Sequence, residues 1–536
     1  MPLAPFLLGI RLFYIGQKVC VLTIIARVLT FPVIPSFHMS RDAISKTDYM
    51  LWRECPKNAW IRLHKPEIYY ATRPTEFEQS LIDTGIEVET VARGRFPTGV
   101  LITGRGEEAI RTTQQFLSTD TPPLFQAAFT KDGFVAAVDV LGNGSKTGSY
   151  TIYEIKSSTG TKEEHLYDVA FQTLLLRRCG LNIGTVFVIH LNRDYVRQGD
   201  LDLVDLFVFD DVTVRVNEIA KTVTSEMEEA RTYLASDTEP VGACGCIYKG
   251  RSNHCNTFHH SNPQVPAYGV HDISRIGSSP KKLREMVDAG VYALENIPTH
   301  IKLSDIQQHQ VRAYLSGETT IDKGAIKSEL MALQFPLYFI DYETCPYALP
   351  LFDRYSPYDH IPFQYSLHTV ESLGQEPVHK EFLHPTLEDP STHFVQSLRK
   401  NIGPTGNIIV WNKSFECGIN QKIASRFIEM QDFVTDLNVR VYDLKDIFSR
   451  QYYVHKDLCG KVSIKSVLPV LAPHLNYSQL SIQEGGTASA MYSKIFLEPI
   501  SEEERDQLRD ALRKYCEMDS YAMYAIWRAL HDIIAA

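Results

Sequence analysis

Asp341 and Glu343 stand two residues apart at the end of an apolar run, Pro336-Leu-Tyr-Phe-Ile. That spacing puts both side chains on one face of a strand. Two carboxylates at the end of a buried strand need a cation, or they take up protons. Later, Asn412-Lys-Ser-Phe-Glu416 follows the strand-like run Asn407-Ile-Ile-Val-Trp411 at the start of a helix. Tyr515-Cys-Glu-Met-Asp519 lies in a long C-terminal helix, where Tyr515 and Asp519, four apart, share a face. Four acids from separate elements, Asp341, Glu343, Glu416 and Asp519, can hold two divalent ions roughly 4 Å apart, and such a pair clamps the attacking and leaving oxygens of a phosphodiester. A tyrosine one turn from the last acid can orient the attacking water. Asp443 is a reserve acid whose plainer reading is a strand-end Asp.

A second set lies earlier. Gly133-Phe-Val-Ala-Ala-Val-Asp139 ends in an acid, and Ser149-Tyr-Thr-Ile-Tyr-Glu154-Ile-Lys156 carries Glu154 and Lys156 on one strand face. Two acids and a lysine at one sheet edge can hold a divalent cation and activate a water, with the lysine orienting it or stabilising charge on phosphate. Gln172, on a helix with Asp168, can reach this region through its amide. An exposed strand with alternating polar residues gives the same Glu-x-Lys pattern without chemistry. The third set is thiol-based. Cys244, Cys246 and Cys255 cluster in a glycine-containing loop and suit a soft metal, which needs a fourth ligand. His254, His259, His260 and the distant Cys55 are the candidates for that ligand.

These sets carry resemblances. The order Asp139, Glu154-x-Lys156, then a helix with Gln172 resembles the RecB-like branch of the PD-(D/E)xK nuclease superfamily. That implies metal and catalytic roles for Asp139, Glu154 and Lys156, and the helix glutamine for Gln172. The branch usually has a tyrosine four residues after that glutamine, where this chain has Leu176, and Glu89 is the nearest match to its earlier helix acid. Cys55 before this core and three cysteines after it resemble CRISPR-associated RecB-like exonucleases. The resemblance implies a four-iron four-sulfur (4Fe–4S) cluster on Cys55, Cys244, Cys246 and Cys255, with zinc as the alternative. The acids of the last segment resemble the tyrosine branch of the DEDD exonucleases (DEDDy), of the ribonuclease H-like fold, which implies a 3′→5′ exonuclease dependent on Mg2+ or Mn2+. The second DEDD motif normally supplies Asp, and here it supplies Glu416. The stretches FPLYFIDYET, YDHIPFQYSLH, VWNKSFE, VSIKSVLPVLAP and YCEMDSYAM are similar to a bacterial family catalogued as a domain of unknown function, number 2779.

The elements that must position these residues follow from pattern. Helices are expected at 75–94, 106–118, 163–179, 213–235 and 502–533, and strands at 133–141, 149–156, 184–190, 336–343, 361–370 and 407–411. The fold class is α/β. It comprises a PD-(D/E)xK-like domain at 39–240, a cysteine-rich metal loop at 241–262, a helical linker at 263–332 with a helix–Gly290-Val291–helix outline, and a ribonuclease H-like domain at 333–536. Residues 1–38 read as an extension. They are apolar but interrupted by Arg11, Lys18 and Arg27, without the roughly 18-residue apolar run of a membrane helix, and a weak membrane anchor or signal is the alternative. Net charge is −10 over 536 residues, so no global basic footprint for nucleic acid exists. Ten cysteines without a disulfide framework suit a reducing cytoplasm; Cys516 among them reads as an ordinary buried thiol. The expected function is a metal-dependent nuclease acting on DNA or RNA, with no clear membrane association and no protein partner indicated. The alternative is a catalytically degenerate nucleic-acid-binding or scaffold protein that keeps the iron–sulfur cluster.

Overall fold

The computed structural model describes residues 18–19, 43–71, 75–117, 122–146 and 148–536. The extension 1–38, apart from Lys18–Val19, and the start near Met39 lie outside the described residues. The chain divides into two mixed α/β units that interleave along the sequence. Unit 1 is Met1–Lys46, Leu81–Thr224 and Tyr347–Asp359; unit 2 is Thr47–Ser80, Ser225–Pro346 and His360–Ala536. Among the described residues no helix is long and apolar enough to cross a membrane.

Unit 1 is built on one sheet. Its strands are β1 (Ile44–Ser45), β2 (Val100–Leu101), β3 (Leu124–Lys131), β4 (Phe134–Asn143), β5 (Tyr150–Lys156), β6 (Ile183–Leu191) and β7 (Phe207–Asp211). The order is β2-β3-β4-β5-β6-β7, with β1 paired to β4. β3, β4 and β5 form an antiparallel meander, and β5 and β6 are parallel. A parallel pair needs a crossover, here α2 (Glu163–Arg178), while the helix Glu76–Ala92 is α1. Leu176, four residues after Gln172, is fully buried core. The core of Val88, Val140, Ile155, Ile189 and Leu191 also takes in Ala348 and Leu349. The segment Tyr347–Asp359 therefore belongs to unit 1, although it follows the strand of Asp341 and Glu343, which ends at Pro346 in unit 2. Its apolar side chains complete that core, and Tyr358 donates a hydrogen bond to the Ser157 carbonyl at 2.7 Å.

Unit 2 carries a five-stranded sheet. Its strands are β8 (Leu337–Pro346), β9 (His360–Val370), β10 (Val378–Leu383), β11 (Asn407–Val410) and β12 (Val441–Asp443), in the order β10-β9-β8-β11-β12. β8 pairs antiparallel with β9 and parallel with β11, which is parallel to β12. Alternation along β8 decides where its acids point. Tyr338, Ile340 and Tyr342 enter one core with Leu367, Phe394 and Val410. Phe339, Asp341 and Glu343 take the other face, where Phe339 packs on Tyr524 and Trp527. The helices that matter for the site are α3 (Lys413–Arg426), α4 (Ile464–Leu471), α5 (Gly485–Leu497) and α6 (Glu502–Ala535).

The four cysteines share a further core of unit 2 with Phe258, Val270, Leu283, Met286 and Val311. Segments read from sequence as a loop and a linker thus pack around one centre. The helix–Gly-Val–helix outline is not realised as a hairpin. Helix Pro280–Asp288 ends at Gly290, whose φ is +69°. A 3-10 turn follows at Leu294–Asn296, and the next helix, Asp305–Ser316, begins after Ser304 caps it.

Candidate functional site

The acids of unit 2 converge beneath α6. Asp341 and Glu343 sit on β8, opposite Ser366 and Gln364 of β9. Glu416 enters from the first turn of α3, and Tyr515 and Asp519 come from α6. Glu343, Glu416, Asp519 and Tyr515 are all buried. Ligand atoms of Asp341, Glu343 and Cys516 lie within 4.8 Å of one another. Glu416 and Asp519 stand outside that group but act electrostatically on Asp341. Tyr477 donates to Asp519 Oδ1 at 2.6 Å, and Lys465 Nζ, from α4, lies 3.3 Å from the Tyr515 hydroxyl. The same ammonium faces the Tyr477 and Tyr515 rings at 5.6 and 5.3 Å from their centroids.

Packing this much negative charge out of water shows in proton affinity. Burial, then Asp519, Glu343 and Glu416, hold the Asp341 carboxyl well above the usual range, with Lys465 opposing them. Burial and Asp519 raise Glu343 likewise. Burial, helped by Asp443, pushes Glu416 up to about 8. Burial raises Asp519 to about 6, restrained by the Tyr477 hydrogen bond and by Lys465. Glu416 Oε2 is a buried oxygen with no hydrogen-bond partner, an arrangement that costs free energy unless a cation or donor meets it. Asp443 Oδ2 and Oδ1 instead accept from the backbone amides of Lys413 and Lys445 at 3.0 and 3.1 Å. That is the strand-end role.

The acids of unit 1 are partnered differently. Glu154 Oε1 accepts from Lys46 Nζ at 2.8 Å and Lys156 Nζ at 2.7 Å, and Glu154 Oε2 accepts from Gln172 at 2.7 Å. Asp168 accepts from Lys156 at 2.5 Å and from Gln172 at 3.0 Å, with Lys46 Nζ 3.2 Å away. Asp139 accepts from the Ile155 amide at 2.8 Å and the Gln126 amide at 3.2 Å; Gln126 also donates to Glu89. Gln126 holds φ at +55° in mid-strand. A left-handed non-glycine residue costs on the order of 1–3 kcal/mol, and such strain gathers at functional sites. Burial, then Glu154 and Glu89, raise Asp139 well above its usual range. Burial alone would lower Lys46, but Asp168 and Glu154 outweigh it and hold the ammonium well above the usual lysine range. These acids do not close into a group of three within 4.8 Å.

All four cysteine sulfurs, of Cys55, Cys244, Cys246 and Cys255, lie within 4.8 Å of one another, unbridged and buried. Cys255 Sγ is 3.9 Å from both Cys55 and Cys244. The neighbouring histidines are engaged elsewhere. His254 stacks on Phe258 with centroids 3.4 Å apart and its Nε2 lies 3.0 Å from the Lys249 carbonyl; His260 Nε2 lies 3.1 Å from Glu239. Cys55 is therefore the fourth member of the group, and His254, His259 and His260 are not in it.

The four cysteines thus close into one group; Glu416 and Asp519 act on Asp341 without joining its group; and Glu154, Lys156 and Gln172 are joined by hydrogen bonds, with Glu89 linked to Asp139 through Gln126. Sequence reading missed Lys46, Gln126, Lys465 and Tyr477, which no spacing ties to the acids. It also read Cys516 as an ordinary buried thiol, whereas the sulfur stands among the ligand atoms of Asp341 and Glu343.

Residues 338–463 match the family described as Domain of unknown function (DUF2779). That match includes Asp341, Glu343 and Glu416 and stops short of Tyr515 and Asp519. The chain is 27% identical over 233 residues to the protein of Mycoplasma pneumoniae named Uncharacterized protein MG366 homolog, covering 39% of this chain and 34% of that one. It is 27% identical over 214 residues to Uncharacterized protein MG366 of Mycoplasma genitalium, covering 37% and 32%. It is 34% identical over 141 residues to Uncharacterized protein UU173 of Ureaplasma parvum, covering 22% and 19%. The chain spans about a third or less of the length of these curated relatives. No solved structure matches the chain.

Proposed function

We propose that the chain is a metal-dependent nuclease whose principal hydrolytic centre is the acid cluster of unit 2. The observation that carries this is an imbalance of buried charge. Asp341, Glu343, Glu416 and Asp519 converge, while Lys465 opposes three of them and Lys445 opposes Glu416. Such a surplus, with the orphaned Glu416 Oε2, fits residues that hold divalent cations. The sheet, with its second strand antiparallel to the first and its fourth and fifth parallel to it, is in keeping with a ribonuclease H-like domain of the DEDDy kind. Mg2+ or Mn2+, when bound, would stabilise the charge that develops on a phosphodiester. The Tyr515 hydroxyl would orient the attacking water, and Tyr477 fixes the Asp519 carboxylate. Lys465 holds the Tyr515 hydroxyl and adds positive charge beside it.

Unit 1 would be a RecB-like module, with Asp139, Glu154, Lys156 and Gln172 as its reacting set and Lys46 as an added cation. Its two lysines already balance much of its acid charge, so it has less need of a metal than unit 2. The four cysteines would hold a structural metal. Tetrahedral zinc, with Zn–S of about 2.3 Å, sets its sulfurs about 3.8 Å apart. The 3.9 Å separations suit that single ion. A 4Fe–4S cluster binds each thiolate to a different iron and spreads them further.

The test is degradation of labelled single-stranded DNA and RNA by the 536-residue chain with Mn2+. Asp341→Ala and Lys156→Ala should each remove a separable part of the activity. If neither changes it, the nuclease reading falls. Nucleic-acid binding without hydrolysis, and without Asp519-dependent Mn2+ binding by calorimetry, would leave the degenerate scaffold instead.

A further inference from the structure

We propose that unit 2 contains a separate zinc-type site made by His368, His379 and Glu517, with a fourth position open to water. His368 on β9 and His379 on β10 are direct partners in the antiparallel register. Their rings stack with centroids 4.6 Å apart at 26°. Glu517, on α6, places Oε1 3.8 Å from His379 Nδ1. One ligand atom from each of the three lies within 4.8 Å of the other two.

The second nitrogen of His379 and one nitrogen of His368 are already held. His379 Nε2 is 2.9 Å from Ser366 Oγ, and His368 Nδ1 is 2.8 Å from Ser520 Oγ. The two hydroxyls are 2.7 Å apart, and Ser520 donates to the Glu517 backbone carbonyl at 3.2 Å. One proton assignment satisfies the whole chain. His379 donates to Ser366, Ser366 donates to Ser520, His368 donates to Ser520, and Ser520 donates to the carbonyl. His368 Nε2 and His379 Nδ1 are then left as lone-pair donors. Fixing the tautomer of a ligating histidine through its second nitrogen is how metal sites orient their imidazoles. Both serines are buried, so this support is part of the packed sheet–helix contact.

The donor set selects the ion. Two neutral imidazoles and one carboxylate suit zinc, whereas Mg2+ prefers all-oxygen surroundings. Three protein ligands leave one position for water. The ion would tie β9 and β10 to α6, the helix that also carries Tyr515 and Asp519.

The experiment is zinc titration of the 536-residue chain with metal analysis after gel filtration, using the Asp341→Asn background to remove competition from the acid centre. That background should bind one more zinc than the same protein carrying Glu517→Gln or His379→Ala. Glu517 is half exposed, so Glu517→Gln leaves the packing intact. Ser520→Ala should weaken that zinc by about 10–100-fold without changing the stoichiometry. If Glu517→Gln and His379→Ala both bind as much zinc, as tightly, as the background, the site does not exist.

Discussion

Glu416 and Asp519 hold protons more tightly in the folded chain than free side chains do, at about 8 against 4.5 and about 6 against 3.8. Folding of the metal-free protein therefore takes up protons between those limits. Stability contributed this way is present at low pH and is lost as pH rises through the folded values, at about 1.4 kcal/mol for every tenfold gain in proton affinity. In chelator, the calorimetric unfolding temperature should fall from pH 6 to pH 8.5. Glu416→Gln should flatten that fall, and saturating Mn2+ should flatten it in the wild type by stabilising the ionised acids. An unchanged slope in Glu416→Gln would show that this carboxyl is not the group titrating. The acids were legible in sequence because i,i+2 on a strand and i,i+4 on a helix fix shared faces without knowledge of the fold. Lys465, Tyr477 and Lys46 were not, because only tertiary packing brings α4, the Tyr477 loop and the residue after β1 to their carboxylates.

At the scale of elements, the placement of Asp341 rests on the same alternation that buries Phe339 against Tyr524 and Trp527 of α6. Phe339→Ala should cost about 3–5 kcal/mol through the cavity it leaves. It should also reduce the proposed nuclease activity, because α6 carries Tyr515 and Asp519. Denaturation curves and the single-strand assay on one preparation check both, and a large stability loss with full activity would separate the packing from the site. Long periodic elements such as α2 and α6 were readable from sequence. β3 was not, since Leu-Phe-Gln-Ala-Ala-Phe mixes apolar pairs with a Gln that the strand holds in left-handed backbone. The 281–314 outline misled for a local reason. Gly290 closes its helix in the left-handed C-terminal cap conformation, with the Val291 amide bonded to the Met286 carbonyl at 2.8 Å, and the chain passes through the 3-10 turn Leu294–Asn296 to Ser304 before the next helix starts, so no short Gly-Val turn joins the two.

At the scale of the molecule, sequence order and spatial grouping part company. Linear reading puts 347–359 with the acids that precede it, but Ala348 and Leu349 are apolar side chains that find their core with β4, β5 and β6. Cys55 shows the same principle in unit 2, reaching a sulfur 200 residues later in the chain. Closing a loop of that length removes about 5 kcal/mol of unfolded-state entropy by the chain-closure argument used for cross-links. A metal on the four thiols should therefore matter more to stability than its small contact area suggests. Stripping that metal under reducing conditions, or Cys55→Ser, should lower the unfolding temperature of unit 2 by on the order of 5–10 °C. Restoring zinc should recover it in the stripped wild type and not in Cys55→Ser. The 3.9 Å sulfur separations make one zinc bound per four thiols the expected result, with a colourless protein. Four irons per chain and a brown protein would replace the single ion by the cluster while leaving the loop-closure argument standing. Full stability after complete metal removal would overturn that argument, because the buried thiols would then be ordinary core.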